Sequence, residues 1–209
     1  MKLYEFGPTR SLRVRWMLQE LDVPFEAIQV NLAAGEHKRP EFLKVNPAGK
    51  LPAFVDGDLV LNESIAIVLY LADKYANKGF VPSDLKDRAE YYRWLLFTTN
   101  ELEQPLWRIA RNTNVYPEKE RLAADIPLAV RDFTPMAGVV RDHLRGREFV
   151  AGDRVTAADF VLAYTLDWAN EAKLLGEYPE LVHYMERMYG RPKAPMRIAA
   201  TFARIRRGN

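Results

Sequence analysis

Ala53-Phe54-Val55-Asp56-Gly57-Asp58-Leu59-Val60-Leu61 places two short apolar runs on either side of an Asp-Gly pair. A tight primed turn needs positive φ, which Asp-Gly tolerates, so this stretch predicts an antiparallel hairpin. Asn62 follows directly and is expected to cap a helix running from Glu63 to about Tyr75. Toward the start of the chain, Pro40 to Val45 fits one or two helical turns, and Ala27 to Val30 reads as a strand. Ser11 to Leu21 repeats apolar residues at helical spacing through Leu12, Trp16, Leu18 and Leu21, and Lys2 to Phe6 is a further strand.

The resulting order is β, α, β, short α, β, β, α. A right-handed β-α-β crossover followed by a hairpin describes a small mixed sheet covered by helices, the thioredoxin-like order. The alternation ends at Gly79-Phe80-Val81-Pro82-Ser83-Asp84. The expected division is therefore an α/β domain over residues 1–78, a linker over 79–86 and an all-α domain over 87–209. Its helices are predicted at Asp87 to Asn112, kinked at Pro105 or ending its regular part there; at Lys119 to Leu144, broken near Pro127 and Pro135; at Ala157 to Ala172; and at Pro179 to Gly190. Arg204, Arg206 and Arg207 read as a solvated helix end favoured by the C-terminal dipole.

The 209 residues carry 30 basic and 28 acidic side chains, a formal charge of +2, and no cysteine. Disulfides, thiolate metal sites and cysteine nucleophiles are thereby excluded. Interspersed charge argues against a nucleic-acid partner. No apolar run reaches a membrane span and the first residues lack a secretory core, so the expectation is a cytoplasmic protein with no membrane partner and no metal.

Three stretches carry chemistry. In Asn46-Pro47-Ala48-Gly49-Lys50-Leu51-Pro52, a cis Pro52 would turn the N–H and C=O of Leu51 outward, where an extended ligand can pair with them; an ordinary proline-closed loop is the plainer reading. Glu63-Ser64 opens the third helix, whose N-terminus suits a ligand carboxylate while Glu63 suits an amine; simple capping is the alternative. Gly7-Pro8-Thr9-Arg10-Ser11 sets two hydroxyls at another helix start, suited either to an anion or to capping. A thioredoxin-like order brings all three to one edge of the sheet.

Together these stretches, with Leu12-Arg13-Val14-Arg15-Trp16 and a capping box at Thr156-Ala157-Ala158-Asp159, make the chain similar to the cytosolic glutathione transferases over nearly its full length. The Thr9-Arg10-Ser11 spacing resembles bacterial serine-type and Nu-type members. The resemblance implies glutathione as co-substrate, attack of its thiolate on a hydrophobic electrophile, and a homodimer across the third helix and the first helix of the second domain. By the same resemblance Glu63 and Ser64 would hold the γ-glutamyl group, and Leu51 beside Pro52 the cysteinyl backbone. Lys50, ahead of His37, would meet the glycyl carboxylate. Ser11 and Thr9 rank equally as thiolate donors, with Tyr4 third, and Arg10 stands where a cysteine-dependent class carries its cysteine. Trp94, Phe97, Trp107, Arg108 and Arg111 would line an electrophile cleft between the domains. Two rival readings are a glutathione-dependent disulfide reductase or peroxidase and a non-catalytic binding protein of the same fold.

Overall fold

The computed structural model describes residues 1–207. Two compact units emerge: Met1–Val81 together with Tyr189–Asn209, and Pro82–Met188. The segment from Tyr189 to Arg207, expected in the helical domain on sequence alone, thus clusters with the first unit.

In the first unit the strands are β1 (Lys2–Glu5), β2 (Glu26–Gln29), β3 (Ala53–Asp56) and β4 (Leu59–Asn62). They form one sheet in the order β2-β1-β3-β4, with β1 parallel to β2 and antiparallel to β3. Between them lie α1 (Ser11–Leu21), the single turn α2 (Pro40–Leu43) and, after the hairpin, α3 (Ser64–Lys74). Gly57 sits in the hairpin turn with φ of 63°, as the Asp-Gly pair requires.

Leu3 and Phe54 pair across β1 and β3 and are both fully buried, as are Trp16, Met17 and Leu18 of α1 and Ile67, Val68 and Leu71 of α3. A smaller cluster joins Val30, Phe42 and Ala53 to Tyr4, Val45 and Leu51. Asn62 does not cap the third helix as expected. It ends β4, and its amide donates to Asn46 Oδ1 at 3.3 Å.

The second unit holds α4 (Leu85–Phe97), α5 (Glu103–Ala110), α6 (Asp125–Leu144), α7 (Ala157–Glu171) and most of α8 (Pro179–Tyr189), while α9 (Ile198–Arg206) returns to the first. Twelve of the 15 residues of α7 are buried, which makes it the central helix of this unit. The kink expected at Pro105 takes a defined form: the ladder widens to a π-turn at Thr98–Leu102 just ahead of it. Proline supplies no N–H to the carbonyl four residues back, and the wider turn absorbs that loss.

The next helix, expected from Lys119, starts instead at Asp125 after a 3-10 turn at Glu118–Glu120, and the break expected near Pro135 is absent, because α6 runs unbroken through that residue. Pro127 falls in the first turn, where amides have no helical partner, and Ala129, Phe133, Ala137 and Val140 bury a continuous face. That face outweighs the roughly 3 kcal/mol an interior proline costs, since a buried phenylalanine alone contributes about 1.5–3 kcal/mol. Among the described residues no helix is long and apolar enough to cross a membrane.

The capping box of α7 forms, and its carboxylate reaches further than expected. Asp159 Oδ2 accepts from Thr156 N at 2.7 Å and Thr156 Oγ1 at 3.0 Å; Oδ1 accepts from Val150 N at 2.8 Å and Tyr184 Oη at 2.6 Å. Burial raises its pKa against the pull of these donors.

Candidate active site

Register places the three stretches together. Tyr4 of β1 pairs with Ala53 of β3, and Ala53 pairs with Asn62 of β4, so the end of β1, the start of β3 and the end of β4 lie side by side. From that edge depart the loop to α1, the Lys50-Leu51-Pro52 approach and the turn into α3.

In the first loop Thr9 Oγ1 donates to the Phe6 carbonyl at 2.5 Å. Thr9 Oγ1 and Ser11 Oγ lie 2.7 Å apart, and because the single Thr9 hydrogen is engaged with Phe6, Ser11 is the donor of that pair. Ser11 N also donates to Thr9 Oγ1 at 3.3 Å. The result is a relay from Ser11 through Thr9 to the Phe6 carbonyl. Ser11 is fully buried, whereas Thr9 is half-buried. Tyr4, the third candidate, turns its ring edge-on to Phe42 at 5.9 Å, into the small core.

Asn46, 1 % exposed, shapes the second stretch. Its Nδ2 donates to Lys50 O at 2.7 Å and its Oδ1 accepts from Ala48 N at 3.1 Å, besides the bond from Asn62. Gly49 has φ of 60°, and a Cβ there would lie 2.9 Å from the His37 carbonyl, so only glycine brings the two loops this close. The Leu51-Pro52 bond is cis, and Leu51 precedes the ladder, which starts at Ala53. Lys50 is exposed. Burial, helped by the Lys38 cation, lowers the His37 pKa and leaves its ring neutral at neutral pH.

At the third stretch Glu63 is exposed with φ of 65° and ψ of 110°, a non-glycine residue held in an unfavourable region at the head of α3. Such strain concentrates where a side chain must be aimed. Ser64 opens the helix, 5 % exposed, and accepts from Arg13 Nη1 at 3.4 Å. Arg13, 1 % exposed, sets a guanidinium beneath that helix N-terminus and adds to its attraction for anions. Sequence reasoning passed over Arg13, although a cation four residues before the core residue Met17 marks it.

The five residues assigned to the electrophile sort differently. Trp94 is 3 % exposed and stacks on His143 at 3.9 Å, so its ring belongs to the helical core, with Phe97 edge-on to it at 5.3 Å. Arg108 is bound to Asp132 at 2.6 Å and to Asp125, ties that fasten α5 to α6. Trp107 and Arg111, one helical turn apart, remain half-exposed; Arg111 lies over the Tyr116 ring at 5.8 Å.

Comparison with known proteins identifies the family. The sequence pattern described as "Glutathione S-transferase, N-terminal domain" matches residues 1–73, and that of the C-terminal domain matches residues 102–192. Glutathione S-transferase 1 of Dianthus caryophyllus is 34% identical, over 78% of this chain and 74% of its own. A zeta-class glutathione S-transferase of Euphorbia esula is 35% identical, over 78% and 72%. Among solved structures, glutathione transferase F7 of Populus trichocarpa superimposes with a TM-score of 0.81 at 27% identity, covering 99% of this chain and 98% of that one. Glutathione transferase URE2P6 of Phanerochaete chrysosporium, in complex with oxidised glutathione, gives 0.81 at 28% identity over 100% and 97%. These relatives give no support to the bacterial serine-type or Nu-type assignment drawn from Thr9-Arg10-Ser11, which is set aside. On sequence pattern, relatives and fold alike, the chain belongs to the glutathione S-transferase family and is an enzyme of that kind.

Proposed function

We propose that glutathione binds along the sheet edge described above and that Thr9 supplies the hydrogen bond that keeps its sulfur ionised for attack on an electrophilic carbon. In this reading the γ-glutamyl carboxylate meets the α3 N-terminus at Ser64, backed by Arg13, and its amine meets Glu63. The cysteinyl backbone pairs with Leu51 beside Pro52. The glycyl carboxylate meets Lys50 in preference to His37, whose ring is neutral. The Ser11–Thr9–Phe6 relay is the observation that carries the proposal.

A thiol has a reference pKa of about 8.5. A thiolate that displaces the Phe6 carbonyl as acceptor gains a charge-assisted bond of about 1.5–3 kcal/mol and forfeits a neutral one of about 1 kcal/mol. The α1 N-terminus adds roughly 0.3–1 kcal/mol. The balance, about 1–3 kcal/mol, lowers the thiol pKa by about 1–2 units, which makes a substantial share of the sulfur thiolate near neutral pH. Ser11 acts by donating into the Thr9 oxygen, which strengthens the Thr9 hydrogen as a donor. No protein cysteine is required, consistent with a chain that has none.

We place the enzyme in the cytoplasm, where glutathione is kept reduced. Leu85, Tyr92 and Leu96 line one face of α4 and are 82%, 37% and 55% exposed, a stripe suited to a second copy of the chain. Retention on immobilised glutathione, followed by conjugation of a chlorodinitrobenzene-type acceptor, tests the whole reading. Failure to bind at millimolar glutathione, or turnover of a small disulfide far above conjugation, counts against it.

A further inference from the structure

The segment from Tyr189 onward is fastened to α1 along its length. The Trp16 and Tyr189 rings lie 4.7 Å apart, Arg191 forks onto both oxygens of Glu20 at 2.7 Å each, and Lys193 pairs with Asp22. These ties lead into α9, whose Thr201 is 3 % exposed and donates its hydroxyl to Arg197 O at 2.9 Å. That bond leaves the Thr201 methyl facing Gly7: a Cβ built at Gly7 would lie 2.5 Å from Thr201 Cγ2 and 3.8 Å from Thr201 Cβ. Gly7 directly follows Phe6, the residue whose carbonyl competes for the Thr9 hydrogen.

We propose that Thr201 is a positioning residue for thiol activation, its methyl group pressing on Gly7 and so fixing the turn that carries the Phe6 carbonyl and the Thr9 hydroxyl. Hydrogen bonds weaken steeply with length and angle, so the setting of this turn governs how readily Thr9 turns from the carbonyl to a sulfur. The proposal rests on the reading that Thr9 meets the thiol, and it assigns the effect to the methyl; the Thr201 hydroxyl serves only to orient that methyl, which valine, with a methyl at both γ positions, does not need.

Four variants separate these parts: Thr201→Val keeps the methyl, Thr201→Ser keeps the hydroxyl, Gly7→Ala introduces the colliding Cβ, and Gly7→Ala with Thr201→Ser removes the atom it collides with. The pKa of bound glutathione is read from ultraviolet thiolate absorbance, with glutathione affinity and thermal midpoint as controls. Thr201→Val is expected within about 0.2 units of the parent, and Thr201→Ser about one unit higher, a roughly tenfold loss of thiolate at pH below the pKa. Gly7→Ala should behave like Thr201→Ser, and the double variant should return toward the parent. Equal shifts in Thr201→Val and Thr201→Ser, or shifts that simply add in the double variant, overturn the proposal. So does a change in thermal midpoint with the pKa unmoved. If Thr9→Val raises the pKa while Thr201→Ser does not, the positioning role alone fails; if Thr9→Val leaves it unmoved, the underlying reading fails and the proposal with it.

Discussion

Replacing Asp159 with alanine strands three buried donors at once: the backbone amides of Val150 and Thr156 and the phenol of Tyr184. The Thr156 hydroxyl can turn elsewhere. At roughly 1–1.5 kcal/mol for each stranded group, the expected loss is about 3–5 kcal/mol. That is a third or more of the whole stability of many domains, which lies at about 5–15 kcal/mol. With a urea slope of roughly 2 kcal/mol per molar, the unfolding midpoint followed by circular dichroism should fall by about 2 M. Tyr184→Phe removes one donor and leaves the carboxylate its other bonds, so about 1–2 kcal/mol is expected. The double variant is the sharper test. Once the acceptor is gone, losing the phenol relieves a stranded group and breaks no further bond, so the double variant should cost about 1 kcal/mol less than Asp159→Ala alone and about 2–3 kcal/mol less than the sum of the two. A loss below about 1 kcal/mol for Asp159→Ala, or strict additivity, refutes the reasoning that this carboxylate joins the α7 cap, the preceding loop and α8.

Glu63→Ala should weaken glutathione affinity about tenfold, the value of one charge-assisted bond, with little change in kcat; calorimetry and steady-state kinetics check it. Asp56 has its pKa lowered from 3.8, first by the hydrogen bond from Lys74 and then by that from Tyr70, so its contribution is present above 3.8 and lost as pH falls through the lowered value. The stability difference between the parent and Asp56→Asn should therefore hold steady near neutrality and close as the pH is taken below 3.8; a difference that is flat down to acid unfolding would contradict this. Leu96→Glu puts a charge into the exposed α4 stripe and should convert a dimer into a monomer by analytical ultracentrifugation, with the far-ultraviolet spectrum unchanged.

Local pattern and turn chemistry made much of the fold readable. The Asp-Gly hairpin, the first helix, the capping box and the helices from Ala157 and Pro179 all follow from periods and caps, because each depends on residues near in sequence. What escaped depends on partners far away. Asn62 looks like a cap, but Asn46 claims its amide from 16 positions back. Pro135 looks like a break, but the buried face of α6 holds the helix through it. The return of the last residues to the first unit runs through Glu20 and Arg191, 171 positions apart. In the site, strand register carries the three stretches to one edge of the sheet, while the proposed ordering of Thr9 over Ser11 rests on the hydroxyl geometry and the full burial of Ser11, neither of which the sequence spells out. Trp94 matched an aromatic stripe that a cleft and a core would show equally, and here the ring is in the core.

In the proposed mechanism Thr9 turns its hydrogen from the Phe6 carbonyl to the glutathione sulfur. The most direct test is the pKa of the glutathione thiol bound to the parent enzyme and to Thr9→Val, read by ultraviolet thiolate absorbance across pH 5 to 10. A pKa of about 6.5–7.5 is expected for the parent, with a rise of at least about one unit toward the free value in Thr9→Val. A bound thiol that titrates near 8.5, or one whose lowered pKa is the same in both proteins, would contradict the mechanism.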